Sequence, residues 1–317
     1  MTAGCVQASD GSGPSAGGDV DLIVPAEAGD PTDTVARAVA PCLADRLRVD
    51  VVVRNLPGDN GVLGNQALVD ADRDGHTLMI SSVSPTVVTP LLLPERTYRV
   101  EDFSFLGVVR SAPVVLFTAA DSPVDSAESL LAAAQAGSPP VTVANRGDKT
   151  VEGYTLWLLN FLAETRLESA PVDSDAEILR GVVAGDYAAG LVTLTPELLS
   201  GIRAGEVRLL ASGGLQQPTY LPEVPTIYEA VGYRSFDAMP DLVIDTAFSA
   251  PDYVGDAKYT ELSSALSRCL STDNVQRDIG AEFVPADQIG AGEQRARYWK
   301  LQRSVRLGLN MAEIEGR

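Results

Sequence analysis

Short apolar runs that break at Gly- and Asp-containing turns and then give way to helical spacing recur along this chain. The first is Leu22, Ile23 and Val24, broken at Pro25. It passes through Ala28, Gly29 and Asp30 into a helical pattern at Thr34, with Thr32 and Asp33 as the expected N-caps. Such a strand, turn and helix leaves backbone N–H groups at the positive end of a helix, which suits an anion. A buried strand is expected at residues 49–53, a turn-rich loop at 55–61, a helix at 64–71 and a third strand at 77–80.

The same order returns further on. Residues 114–118 read as a crossing strand and 126–136 as a capped helix. Strand 141–144 runs into the polar turn 145–150 and a helix at 151–165. A helix at 176–183 and strands at 187–194 and 207–212 follow; 242–250 reads as a return crossing, with helices at 259–270 and 292–307. Repeated βα units predict an α/β fold in which each of two lobes is a mainly parallel sheet flanked by helices. Two crossing strands joining them make a hinge with a cleft between. The expected division is lobe 1 at residues 21–118 plus 236–311 and lobe 2 at 119–235, with a tether at 1–20 and a vector-derived scar at 312–317. Ligands in such sheets sit beyond the carboxyl ends of the strands, so 25–33, 55–61 and 81–86 form one rim.

Composition narrows the function. At 317 residues and 45% hydrophobic content the chain can bury a sizeable core, and a net charge of −19 without a basic stripe excludes nucleic acid. An acidic protein that takes an anion must build a local positive site from helix N-termini or a few cations. No apolar run approaches the ~20 residues that span a bilayer. Thr2, Ala3 and Gly4 before Cys5 match the end of a bacterial lipoprotein signal, and the Ser- and Gly-rich residues 7–18 read as a flexible tether. Cys5 is thus the expected lipid anchor, which makes the native protein an extracytoplasmic, membrane-anchored lipoprotein and leaves this chain soluble. That location permits a disulfide between Cys42 and Cys269, both in expected helices. No CxxC occurs, and His76 is the single histidine, so no metal or cofactor is expected.

Enzyme chemistry finds little support. A hydrolase triad would have to use His76, yet no G-x-S-x-G turn occurs, and phosphate or dinucleotide loops are missing. Carboxylate pairs such as Glu101 and Asp102 are solvated surface in a chain this acidic.

Several segments together resemble the periplasmic substrate-binding components of tripartite tricarboxylate transporters. They are Pro25 to Asp33 with Thr34-Val-Ala-Arg37, Val51 to Gly58 with Gly61 and Gly64, and Asp74-Gly-His-Thr-Leu78. Glu101-Asp-Phe103, Ala204-Gly205 with Arg208, and Leu221 to Thr226 with Glu229 and Ala230 follow in the family's order. The resemblance implies a two-lobed type II periplasmic binding fold that closes on a small organic carboxylate, as a monomer, and delivers it to membrane permease subunits. Presenting ligand to a membrane sensor kinase is the alternative use of the same chemistry. It also implies paired carboxylate-holding loops: Ala26, Ala28, Gly29, Thr32 and Asp33 in the first, Asn145, Arg146, Gly147 and Thr150 in the second. Ser82, Ser84 and Thr86 line the first-lobe rim, and Thr193, on the strand ahead of Pro196, completes the set.

The departures from the family pattern concern charge. Glu27 and Asp30 put carboxylates beside the anion site, whereas Arg146 and Lys149 make the second loop positive. Arg146 is expected either to grip the ligand carboxylate bidentately or to pair with Asp148, Asp30 or Glu27. Trp157 is expected in the core.

Overall fold

The first strand, β1 (Val20–Val24), buries Leu22, Ile23 and Val24 completely, because helices cover both faces of its sheet. A computed structural model describes residues 18–93, 98–137, 139–221, 223–233 and 239–315. Cys5 with the rest of residues 1–17 of the expected tether, and the last two residues of the expected scar, lie outside them, while Val20 at the end of that tether is the first residue of β1. On one face Val20, Leu22 and Val24 pack with Val35, Val39 and Leu43 of α1 (Pro31–Leu47); on the other Ile23 joins Val62 and Leu68 of α2 (Val62–Val69). That split is the period-two alternation of a strand. β1 lies between β2 (Val51–Asn55) and β3 (Thr77–Ser82), parallel to both.

α1 corrects the expected helix start. It begins at Pro31, whose fixed φ and missing N–H suit a first helical position. Asp30, not Thr32 or Asp33, is the N-cap, its carboxylate accepting the Thr32 N–H at 2.9 Å. α1 is joined to α8 (Asp256–Leu270) by a Cys42–Cys269 disulfide, with the Cα atoms 5.7 Å apart.

The strand expected at 114–118 is far longer. β4 (Phe103–Ala119) pairs antiparallel with β9 (Val243–Pro251) over Phe103 to Pro113, then with β7 (Ala189–Thr193) and β8 (Val207–Ser212) beyond that point. Gly107 and Pro113 look like breaks in the sequence. Gly107 instead sits at a bulge, and Pro113 falls where the strand changes partners. One strand therefore belongs to both sheets, and the order β2-β1-β3-β9-β4-β7, continued by β5 (Val141–Asn145) and β6 (Leu167–Pro171), runs through it.

In the second lobe β5 (Val141–Asn145) is parallel to β6 (Leu167–Pro171) and to β7. The helices are α3 (Ala127–Ala136), α4 (Val151–Ala163), α5 (Asp175–Ala184) and α6 (Pro196–Ala204). β6 escapes a hydrophobic reading because it is a largely exposed edge strand carrying Glu168 and Pro171. The short α7 (Ile227–Ala230) lies between β8 and β9, and after α8 come α9 (Asp273–Ile279) and α10 (Ala291–Glu315).

α10 lies on both lobes. Near its start Arg295 donates to the Phe103 carbonyl and the Tyr298 ring packs edge-on to Phe105, 5.2 Å between centroids. Two turns on, Ser304 meets the Tyr154 hydroxyl at 2.6 Å, and Gly308 sits against Trp157, where a Cβ would come within 2.7 Å of the ring. Trp157 stacks between Tyr154 and Phe161 and packs half-buried against the main core.

Candidate functional site

The turn between β1 and α1 is shaped from below by one carboxylate. Asp33, 2% exposed, accepts from the Gly29 N–H at 2.8 Å, from Arg37 Nε at 2.9 Å and from Asn55 Nδ2 at 2.9 Å. Asn55 also donates to the Ala26 carbonyl at 3.0 Å and accepts from Arg37 at 2.9 Å. Burial pushes the Asp33 carboxyl up, but the bonds from Arg37, Gly29 and Asn55 outweigh it and hold it below the ordinary range. With its oxygens so occupied, Asp33 braces the loop from inside while Ala28 and Gly29 face outward. Gly29, at φ +89°, takes a backbone conformation that strains any side chain. Asn55, at the end of the neighbouring parallel strand, is a site residue that the loop motif alone does not reveal.

The turn between β5 and α4 is built alike. Asn145, fully buried, accepts the Gly147 N–H at 2.7 Å and donates to the Val143 carbonyl and to Ser169. Thr150 caps α4, accepting from the Gly153 N–H at 3.2 Å while donating to the Gly147 carbonyl at 2.7 Å. Gly153 has no room for a side chain, since a Cβ would lie 2.5 Å from the Asp148 Cα. Arg146 faces none of the acids expected for it. Its Nη1 is 3.8 Å from Asp175, the first residue of α5, and both side chains are about half-buried. Burial pushes the Asp175 carboxyl up to about 6, against the pull of Arg146.

Two contacts from the first lobe reach this second turn. Ser84 Oγ accepts the Val151 N–H, the first of α4, at 3.2 Å, and Thr89 donates to the Lys149 carbonyl at 2.9 Å. Both come from the turns Ser84–Val88 and Thr89–Leu91 that follow β3. Thr86 points inward to the Ser82 carbonyl at 2.9 Å and to Asn65 and Ser81 at 3.2 Å. Ser82 thus offers its carbonyl to the fold's own network. Thr193, at the end of β7, donates to Glu152 Oε1 at 2.7 Å. An open depression of about 450 Å³ lies on the flank between α6 and α9, lined by Leu199, Arg203, Gln276, Arg277 and Glu282, and includes no residue of either loop.

At the floor, where β4 passes between the sheets, stands Arg110, 4% exposed. It donates to the Leu194 carbonyl, and its guanidinium lies 5.0 Å above the Phe283 ring. Burial depresses its basicity, while Asp175, Glu197, Tyr220 and Asp30 act in the opposite sense. Asp30 belongs to the first turn and Asp175 to the partner of the second, so Arg110 feels both. A lone Arg in the apolar run Phe103 to Phe117 was the available sequence signal for it. Glu152, in the first turn of α4, reads from sequence only as an acid well placed on a helix dipole.

Comparison with known proteins supplies the relationship. The family described as tripartite tricarboxylate transporter family receptor matches residues 35–287. BugT of Bordetella pertussis is 35% identical over 227 residues, covering 70% of this chain and 68% of its own. Among solved structures, MatC of Rhodopseudomonas palustris with bound malate superposes with a TM-score of 0.71 at 24% identity, covering 92% of this chain and 97% of its own. An R. palustris protein with adipate gives 0.69 at 23% identity, covering 93% and 95%. The fold is therefore the two-lobed one of periplasmic solute-binding proteins, and the chain belongs to the tripartite tricarboxylate transporter receptor family, whose members are solute-binding receptors and not enzymes.

Proposed function

We propose that this protein captures a small organic carboxylate between its lobes, outside the cytoplasm, and delivers it to membrane permease subunits of a tripartite tricarboxylate-type transporter. The observation that carries the reading is the pair of turns, Ala26 to Asp33 and Asn145 to Thr150, each leading into a capped helix N-terminus. In a chain of net charge −19 such termini, with Arg110 and Arg146, are the local positive potential an anion needs. The family, and the malate and adipate held by two similar structures, support carboxylates as the ligand class. A disulfide between α1 and α8 supports an oxidising compartment. One chain supplies both turns, so a monomer is sufficient to bind the ligand.

A thermal-shift screen over mono-, di- and tricarboxylates and amino acids, beside sugars and metal cations, tests this. A carboxylate should raise the melting temperature by mass action. Stabilisation by a sugar or cation alone would overturn the reading. Delivery is tested by uptake of the labelled hit, which should require both this protein and the permease subunits.

A further inference from the structure

Four charged residues among those described are more than nine-tenths buried: Asp33, Arg110, Glu152 and Asp245. Two have their counter-charge. Asp33 pairs with Arg37 at 2.9 Å and Asp245 with Arg297 at 3.6 Å. Arg110 and Glu152 have no opposite charge at ion-pair distance among the described residues. A guanidinium carries five N–H donors, and the bond that Arg110 makes within the fold is to the Leu194 carbonyl. Glu152 is favoured by the field of α4 and accepts the Thr193 hydroxyl, but neither of these cancels a charge. Leaving a buried charge unpaired is costly, so both positions call for a ligand charge of opposite sign.

The two come to the same end of the second sheet, where Asp175, at the start of α5, feels both of them. They attach to consecutive residues at the end of β7, Arg110 to the backbone of Leu194 and Glu152 to the side chain of Thr193. β7 is parallel to β5, so this end lies beside the turn that begins at Asn145. Asp30 of the first turn acts on Arg110 from the other lobe. Arg146 already has Asp175 as its partner, and a second carboxylate on the ligand would meet Glu152, Asp175 and Asp30 with no unpaired cation left at the floor.

We propose that the ligand is a small zwitterion, an amino acid, whose carboxylate pairs with Arg110 and whose ammonium pairs with Glu152. This rests on the solute-binding reading above and narrows it. The contact to Glu152 sets selectivity: an acid of the same skeleton without the amine leaves that carboxylate buried and uncompensated.

Calorimetry decides it by titrating the standard amino acids and γ-aminobutyrate beside their desamino acids, for example glutamate beside glutarate and alanine beside propionate. At least one amino acid should bind some 100-fold or more tightly than its desamino acid to the unaltered protein, a comparison that needs no variant. Glu152→Gln, which keeps shape and the Thr193 contact, should weaken that amino acid by tens-fold and leave the desamino acid unchanged or tighter. Arg110→Gln should weaken both. A desamino acid binding as tightly as its amino acid, or Glu152→Gln leaving the ratio unchanged, overturns the zwitterion but leaves the carboxylate receptor standing. Failure of every carboxylate-bearing compound overturns both.

Discussion

Asp33 and Asp245 are both buried, both paired with an arginine, and they make stability depend on pH in opposite senses. The Asp33 carboxyl is held low by Arg37, Gly29 and Asn55 despite its burial. Its stabilisation is therefore complete above the unfolded value near 4 and is lost as pH falls through the lower folded value. Asp33→Asn leaves Arg37 and the Gly29 N–H without a charged acceptor; we expect a loss of about 2–3 kcal/mol in chemical denaturation at pH 7, together with weaker ligand binding as the turn loosens. Asp245, on β9, accepts from Ser111 at 2.7 Å and faces Arg297 of α10, with Asp241 nearby. Burial, first among its influences, pushes it up to about 6. Here the folded state holds its proton longer than the unfolded one, so stability falls as pH rises from about 4 to 6 and is level beyond. Asp175 adds to the same slope for the same reason. Asp245→Asn should flatten that part of the profile by up to about 3 kcal/mol between pH 4 and 7, read from urea midpoints across the range. An unchanged slope would mean that Asp245 is not the titrating group.

At the scale of elements, the disulfide ties two helices that cover one face of the first sheet. α1 and α8 contribute Val35, Val39, Leu43, Leu262 and Leu266 to a single cluster with Leu22 and Val24. The bond joins residues 227 apart in sequence, so it restrains a large loop of the unfolded chain. Cys42→Ser with Cys269→Ser should cost about 2–4 kcal/mol and lower the melting temperature, and reductant should reproduce the loss in the unaltered protein alone. The βα repeats that place the two turns were legible, because each joins an apolar run to a turn former and a periodic helix. The N-cap of α1 was not, since Asp30, Thr32 and Asp33 are all good caps and the choice was settled by Pro31 taking the first helical position. Nor was the first half of β4, where Gly107 and Pro113 carry break signals that a bulge and a change of partner absorb. The turns themselves were readable as loops, but Asn55 bracing Asp33 and Asp175 facing Arg146 are long-range pairings that no local pattern encodes.

For the molecule as a whole, the two lobes share a continuous core, and a few polar contacts join them beside it. One cluster runs from Ile23 and Met79 of the first sheet through Phe105 and Tyr298 to Val143, Leu159 and Leu167 of the second. α10 lies along that core, held to both lobes, so relative motion of the lobes pivots beside it. Beside that core, in turns that pack against α10, Ser84 accepts the first N–H of α4 and Thr89 donates to the Lys149 carbonyl. Both bonds cross from one lobe to the other, so a motion that separates the two turns breaks them, and they weigh on the closing equilibrium more than on the stability of either lobe. Ser84→Ala removes one of them, for a net cost to the closed form of about 0.5–1.5 kcal/mol. Because ligand binding draws on the closed population, the apparent affinity should fall by roughly 2- to 10-fold with little change in the denaturation midpoint. Small-angle scattering of the ligand-free variant should show a larger radius of gyration than the unaltered protein. Equal radii with a lowered affinity would instead assign Ser84 a direct bond to the ligand, and a lowered midpoint would place its role within the fold of the lobe.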